Sequence, residues 1–307
     1  MFGAVLVTLI VLFFTVSTLH HQKLKKEEQR SCPPPGTLVD VFGDRMHIYA
    51  KGTKSPALLF SCGNGMFSYG NFYPIYTPLS KTNRVILYDR CGYGWSDSTR
   101  RPRTMEQINL DLHELLKRSG EKGPFVLIGH SLGATELLQF AQRYPELTAG
   151  LIMLDGGSPE FYRKSKGVFL RSLPAYGITS FLRATGILRL LLRRRPPHPD
   201  MPREVDQAYT MMITHRSSHL NSLQQVKALS SITPIDRDLG ETPLLVITAM
   251  RSGSLGEAFK SSQEELLKLS TRSRQVIMEE GSHFFPMEYP DLMVEEIRRF
   301  LNEDMRR

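Results

Sequence analysis

Six short runs of almost unbroken aliphatic residues constrain this chain most: ALLFS (57–61), RVILYD (84–89), FVLIG (125–129), LIMLD (151–155), LLVIT (244–248) and QVIME (275–279). Each has the length of a strand and is apolar at consecutive positions, so both of its faces must be buried. A parallel sheet covered on both sides by helices meets that condition. Helical spacing fills the gaps, in TMEQINLDLHELLKR (104–118), LGATELLQFAQRY (132–144), SSQEELLKLS (261–270) and PDLMVEEIRRFL (290–301). The alternation predicts an α/β fold, a mostly parallel central sheet flanked by helices. VDVF and MHIYA, separated by the turn residues Gly43-Asp44, read as an opening hairpin. At 307 residues the chain is long enough for one full core with an inserted subdomain.

Two segments depart from this rhythm. The first 19 residues carry no charged side chain, close to the ~20 that a helix needs to cross a bilayer. No Lys or Arg precedes them and Thr15-Val16-Ser17 is a poor cleavage site, so residues 1–20 read as an uncleaved single-pass anchor rather than a signal peptide. Lys23, Lys25, Lys26 and Arg30 follow, which favours the cytoplasmic side for the main domain. Residues 21–36, with charges and Pro33–Pro35, read as a solvated, semi-stiff spacer. The second departure is 156–240, which lacks strand runs and reads as an inserted helical cap between core segments 37–155 and 241–307. It holds 13 Lys/Arg against 6 Asp/Glu, nearly the whole net charge of +8. That surplus suits either a solvated basic surface or contact with anionic lipid headgroups, with Ile187–Leu192 at the interface. Nucleic acid is disfavoured, because the basic residues are mixed with aliphatics and no binding motif accompanies them. Cys32, Cys62 and Cys91 fit no zinc or CxxC spacing and read as thiols, with a Cys62–Cys91 bridge left open.

The chemistry centres on GHSLG (129–133), where the FVLI strand meets a helix. Glycines at 129 and 133 permit a sharp strained turn that lifts Ser131 Oγ above the sheet, over a helix N-terminus that favours developing negative charge. Two backbone N–H groups must converge on an oxyanion. Leu132 supplies one, and Asn64, between Gly63 and Gly65 in SCGNG, is the candidate for the other. Among nine histidines, His283 in MEEGSHFFP follows the last strand at the same end of the sheet as Ser131, where it could take the serine proton. No metal cluster, dinucleotide fingerprint or P-loop is present, so no cofactor is expected.

Taken together, SCGNG, YDRCGYGWSDS (88–98), GHSLG and GSHFF make the chain resemble α/β-hydrolase-fold enzymes of the large group with an inserted helical lid. The motifs span residues 61–285 and specify the fold far more than the substrate. Two positions depart from the family pattern. Cys62 stands where many members have His. The loop after LLVIT, with Met250, Arg251, Ser252 and Gly253, lacks the aspartate that usually serves as the triad acid, and its first carboxylate is Glu257. Some members, including certain haloalkane dehalogenases, carry the acid at the end of the preceding core strand, and here that residue is Asp155. Parallel neighbours lie about 4.8 Å apart, which leaves Asp155 within reach of a histidine above Ser131. Glu257 as substitute, Asp155 as a mere turn cap, and no acid at all are the alternatives.

The expected reaction is therefore acyl transfer by Ser131, His283 and Asp155 on a small-molecule acyl ester, lipid-like given the anchor and basic cap. Serine at the nucleophile position argues against dehalogenase or epoxide hydrolase chemistry. Two rivals stand beside this reading: an aminopeptidase of the proline-iminopeptidase type, similar in its GYGWSD loop, and a non-turnover small-molecule binding protein.

Overall fold

The computed structural model describes every residue except 197–200, 217–218, 230–231, 235, 251–253 and 307. Its eight strands are β1 (Thr37–Val41), β2 (Asp44–Lys51), β3 (Ala57–Ser61), β4 (Val85–Tyr88), β5 (Phe125–His130), β6 (Thr148–Leu154), β7 (Leu244–Ala249) and β8 (Ser273–Met278). They form one sheet in the order β1-β2-β4-β3-β5-β6-β7-β8. β1 and β2 pair antiparallel, as does β2 with β4, and every other neighbour is parallel. The opening hairpin turns through Phe42 and Gly43, both at positive φ.

The period-2 geometry of strands explains why the apolar runs are continuous. Leu59, Leu127, Leu151 and Val246 point to one face, against helices α4 (Met105–Arg118), α5 (Leu132–Arg143) and α12 (Ser254–Leu266). Leu58, Phe60, Val126, Ile128 and Leu245 point to the other, against α3 (Tyr73–Leu79) and α14 (Pro290–Arg299). Short helices α2 (Ser68–Asn71) and α13 (Phe285–Glu288) sit in loops at the carboxyl ends of β3 and β8. Thr104 caps α4 by accepting from Gln107 N. α12 begins seven residues before the helix expected at 261–270, because Phe259, Gln263 and Leu266 form one buried stripe.

Between β6 and β7 lie only helices among the described residues: α6 (Pro159–Lys164), α7 (Lys166–Arg171), α8 (Leu173–Ala184), α9 (Ile187–Leu192), α10 (Arg203–Arg216) and α11 (Leu220–Leu229). The GYGWSD loop holds this cap. Asn221 pairs with both backbone groups of Thr99, and Arg216 donates to the carbonyls of Gly94 and Ser96.

The N-terminal helix α1 spans Phe2–Ser31. Residues 21–31, expected as part of a solvated spacer, are instead the last three turns of α1, packed on the cap. Glu28 takes a bidentate pair from Arg189 and a hydrogen bond from His215 Nε2 at 2.7 Å. His21 is buried against Gly186, whose positive φ and missing Cβ allow the close approach. Charges that read as solvated in sequence are thus paired across 161 to 187 residues of chain. Phe2–Ser31 is the one described helix long and apolar enough to cross a membrane, and its apolar stretch is unburied.

The cysteines are free. Cys62 and Cys91 do not pair, since they belong to packing clusters on opposite faces of the sheet. Burial pushes both thiols up to about 11.

Candidate active site

Register builds the site. β5 and β6 pair in parallel up to His130 opposite Leu154, so the next residues, Ser131 and Asp155, emerge side by side at the carboxyl edge. Both turn sharply there, with φ of 55° at Ser131 and 48° at Asp155. Such values are rare for residues with a side chain and are held only where surroundings enforce them. At Ser131 the turn is enforced by its amide, which donates to Leu154 O at 2.9 Å, and by crowding. A Cβ at Gly129 would stand 2.4 Å from Ala134 Cα, and one at Gly133 2.4 Å from Ser61 O. The two glycines of the motif are where strand, turn and helix touch.

His283 arrives on the loop after β8. Its Nε2 is 2.9 Å from Ser131 Oγ and its Nδ1 2.6 Å from Asp155 Oδ2. The other oxygen of the fully buried Asp155 accepts from Ala249 N at 3.1 Å and Gln263 Nε2 at 3.3 Å. The geometry therefore brings Ser131, His283 and Asp155 into one hydrogen-bonded line. Glu257 lies exposed on α12, outside that line, while Arg251, Ser252 and Gly253 fall outside the described residues.

The loop after β3 lies over Ser131, since a Cβ at Gly63 would come 3.2 Å from Ser131 Cβ. Asn64 follows, partly buried. Its side chain is engaged by the cap, accepting from Tyr176 Oη at 2.8 Å and donating to Ser222 O at 3.3 Å. The backbone amides of Asn64 and Leu132 donate to no protein acceptor among the described residues. Cys62, the departure from the family pattern, donates its thiol to Met66 O at 3.0 Å and closes the same loop.

Two side chains that sequence reasoning missed hold this loop. Arg90 is buried and donates to the carbonyls of Gly63 at 2.6 Å and Cys62 at 2.8 Å. Its Nη1 pairs at 2.6 Å with Glu136, itself fully buried on α5 and also bound by Tyr88. Turning two carbonyls toward Arg90 orients the peptide planes of the loop, so the carboxylate on the helix behind Ser131 ultimately fixes the loop in front of it. The third missed group is His130, whose Nε2 meets His283 O at 2.8 Å and pins the histidine loop. In sequence, Arg90 and Glu136 look like ordinary surface charges, and only YDRCG directly after a strand hinted otherwise. Asp97, the carboxylate of the GYGWSD loop, pairs with Arg45 away from the site. His198 and Asp200 of the cap lie outside the described residues. No group of three or more His, Cys, Asp or Glu side chains that could hold a metal occurs among the described residues.

Comparison with known proteins agrees with this architecture. The model of the Alpha/beta hydrolase family matches residues 58–296. An uncharacterised Bacillus subtilis protein, YbdG, is 32% identical over 156 residues, 50% of this chain and 48% of that protein. The chain spans about half or less of the length of the first curated relatives it matches. Among solved structures, a Bacillus megaterium epoxide hydrolase superposes with a TM-score of 0.70 at 18% identity, covering 87% of this chain and 100% of that one. A thermophilic esterase from Thermogutta terrifontis gives 0.62 at 23%, covering 88% and 97%.

Proposed function

Because the chain belongs to the Alpha/beta hydrolase family, we propose that it is a serine hydrolase cleaving carboxylic esters through an acyl-enzyme. The observation that carries this reading is the unbroken line from Asp155 through His283 to Ser131. In that line Asp155 accepts the Nδ1 proton of His283, which leaves the Nε2 lone pair facing the serine hydroxyl. Ser131 Oγ attacks the ester carbonyl as Nε2 takes its proton. The tetrahedral oxyanion lies before the amides of Leu132 and Asn64. Collapse expels the alcohol, which receives the proton from Nε2. Water, deprotonated by the same nitrogen, then attacks the acyl-serine, and collapse breaks the acyl–Oγ bond, with Nε2 returning the proton to Ser131 Oγ as the acid leaves. The strained φ of Ser131 and the Glu136–Arg90 support of the loop favour this use, since both hold reacting groups in place before substrate arrives.

Serine at the nucleophile position separates this reading from the activity named for the epoxide hydrolase neighbours. The α1 helix supports a membrane-anchored enzyme, with a lipid-like ester as the preferred class.

The test is hydrolysis of p-nitrophenyl esters of rising acyl length by the full chain in detergent, beside Ser131→Ala. Turnover that has a chain-length optimum and vanishes in Ser131→Ala is expected. Absence of serine-dependent turnover at every length overturns the esterase reading.

A further inference from the structure

The cap carries an apolar face open to solvent. Ile178 (62% exposed) and Phe181 (52%) on α8, with Leu190 (50%) and Leu191 (66%) on α9, are large side chains that a folded surface rarely leaves together. This face adjoins α1 along a ladder of contacts. Phe14 meets Phe181 with ring centroids 5.4 Å apart, and Ser17 Oγ donates to Thr185 O at 2.6 Å. His21 follows, against Gly186, and then Glu28, against Arg189 and His215. The rungs pass from apolar to charged in chain order.

The ladder also gives a depth. Leu19 is the last residue of the apolar run, and Phe14 stands five residues before it, or roughly 7 Å at 1.5 Å per residue. Interfacial helices bed about 5–10 Å into the boundary between headgroups and acyl chains. Once α1 enters a bilayer at Leu19, Phe181 is carried to that depth with no change of structure. Arg193 and Arg194 are exposed just past α9, where anionic headgroups would lie.

We propose that the α8–α9 face is a second membrane contact, with Ile178 and Phe181 among the upper acyl chains beside α1 and Leu190, Leu191, Arg193 and Arg194 farther out, at the headgroups. The proposal rests on the anchor reading of α1. It reaches the site as well: α8 also carries Tyr176, which holds Asn64 in the loop over Ser131. A helix that touches lipid on one side therefore touches the substrate loop on the other.

The experiment places the full chain in phosphatidylcholine–phosphatidylglycerol vesicles containing lipids brominated at upper or lower acyl carbons. Tryptophan emission is compared for Phe181→Trp, for Leu110→Trp on the distant helix α4, and for the unmodified chain, whose Trp95 gives the background. The expected result is a blue shift for Phe181→Trp and quenching by the upper bromines, at a depth of about 5–10 Å, with Leu110→Trp unquenched. Water-like emission from Phe181→Trp in a chain that floats with the vesicles overturns the proposal. So does a blue shift without bromine quenching, which marks a protein partner or a second copy on the face. A chain that fails to float with vesicles overturns the anchor reading itself.

Discussion

Replacing Asp155 by Asn tests the proposed chemistry at its least conventional point. Asp155 Oδ1 accepts from two N–H donors, Ala249 N and Gln263 Nε2, while Oδ2 accepts from His283 Nδ1. In Asp155→Asn the two donors hold the amide oxygen on their side, so the NH₂ group turns toward His283. Nδ1 must then accept, and the ring proton moves to Nε2, where it faces Ser131 Oγ and blocks proton transfer. A wrong histidine tautomer of this kind lowers turnover by about 10⁴ in a serine protease, equivalent to ~5 kcal/mol on the barrier. The assay is kcat on the optimal p-nitrophenyl ester, with a melting curve to show that the near-isosteric variant folds. Glu257→Gln, on the exposed face of α12, should leave kcat unchanged. A well-folded Asp155→Asn within tenfold of wild type would refute the tautomer argument.

Other expectations follow from buried charge, crowding and titration. Arg90→Met leaves Glu136 charged and buried without its cation, a loss of about 3–5 kcal/mol readable in denaturant melts. Adding Glu136→Leu should restore much of that stability but not turnover, because the carbonyls of Cys62 and Gly63 still lack their donor. Gly133→Ala sets a methyl group 2.4 Å from Ser61 O and should sharply lower the melting temperature. Gly167→Ala, with nothing within 4 Å, should be neutral or slightly stabilising. Burial pushes His215 down to about 4, opposed by Glu28 and reinforced by Lys25 and Arg189, and burial likewise takes His219 to about 4. An unfolded histidine titrates near 6.5. The unfolded chain therefore binds more protons between those values, so stability is full above about pH 6.5 and falls as pH drops toward 4. Melting curves between pH 7.5 and 4.5 should show that fall, and His215→Gln should flatten it.

The sheet was legible because β3 to β7 are apolar on both faces, a pattern that survives without any partner in view; β8, at the edge of the sheet, is only partly covered and leaves Ile277 exposed. The turn at Ser131 was legible because GHSLG places glycines at the two positions where the structure finds no room for a Cβ. Asp155 could be named as the candidate acid because the resemblance implied an acid at the end of that strand, and the spacing of parallel neighbours left it within reach of the histidine. Arg90, Glu136 and His130 were not legible. Burial of a charge is decided by a partner dozens of residues away, and no periodicity records that pairing. The same holds for Glu28, whose surroundings in sequence are a run of charges suggesting solvent. The opposite-face placement of Cys62 and Cys91 was equally hidden, because side-chain direction at strand ends depends on loops that composition does not describe.

The unbroken run of α1 into the cap has a kinetic consequence. A domain on a slack tether tumbles and samples many bearings relative to its support. Here Ser17, His21 and Glu28 grip three successive levels of the cap, which removes those rotations. Seated in a bilayer, such a molecule keeps one heading and searches in two dimensions. Its rate should then follow substrate per unit area of lipid, so that diluting vesicles at constant surface composition leaves turnover per enzyme unchanged.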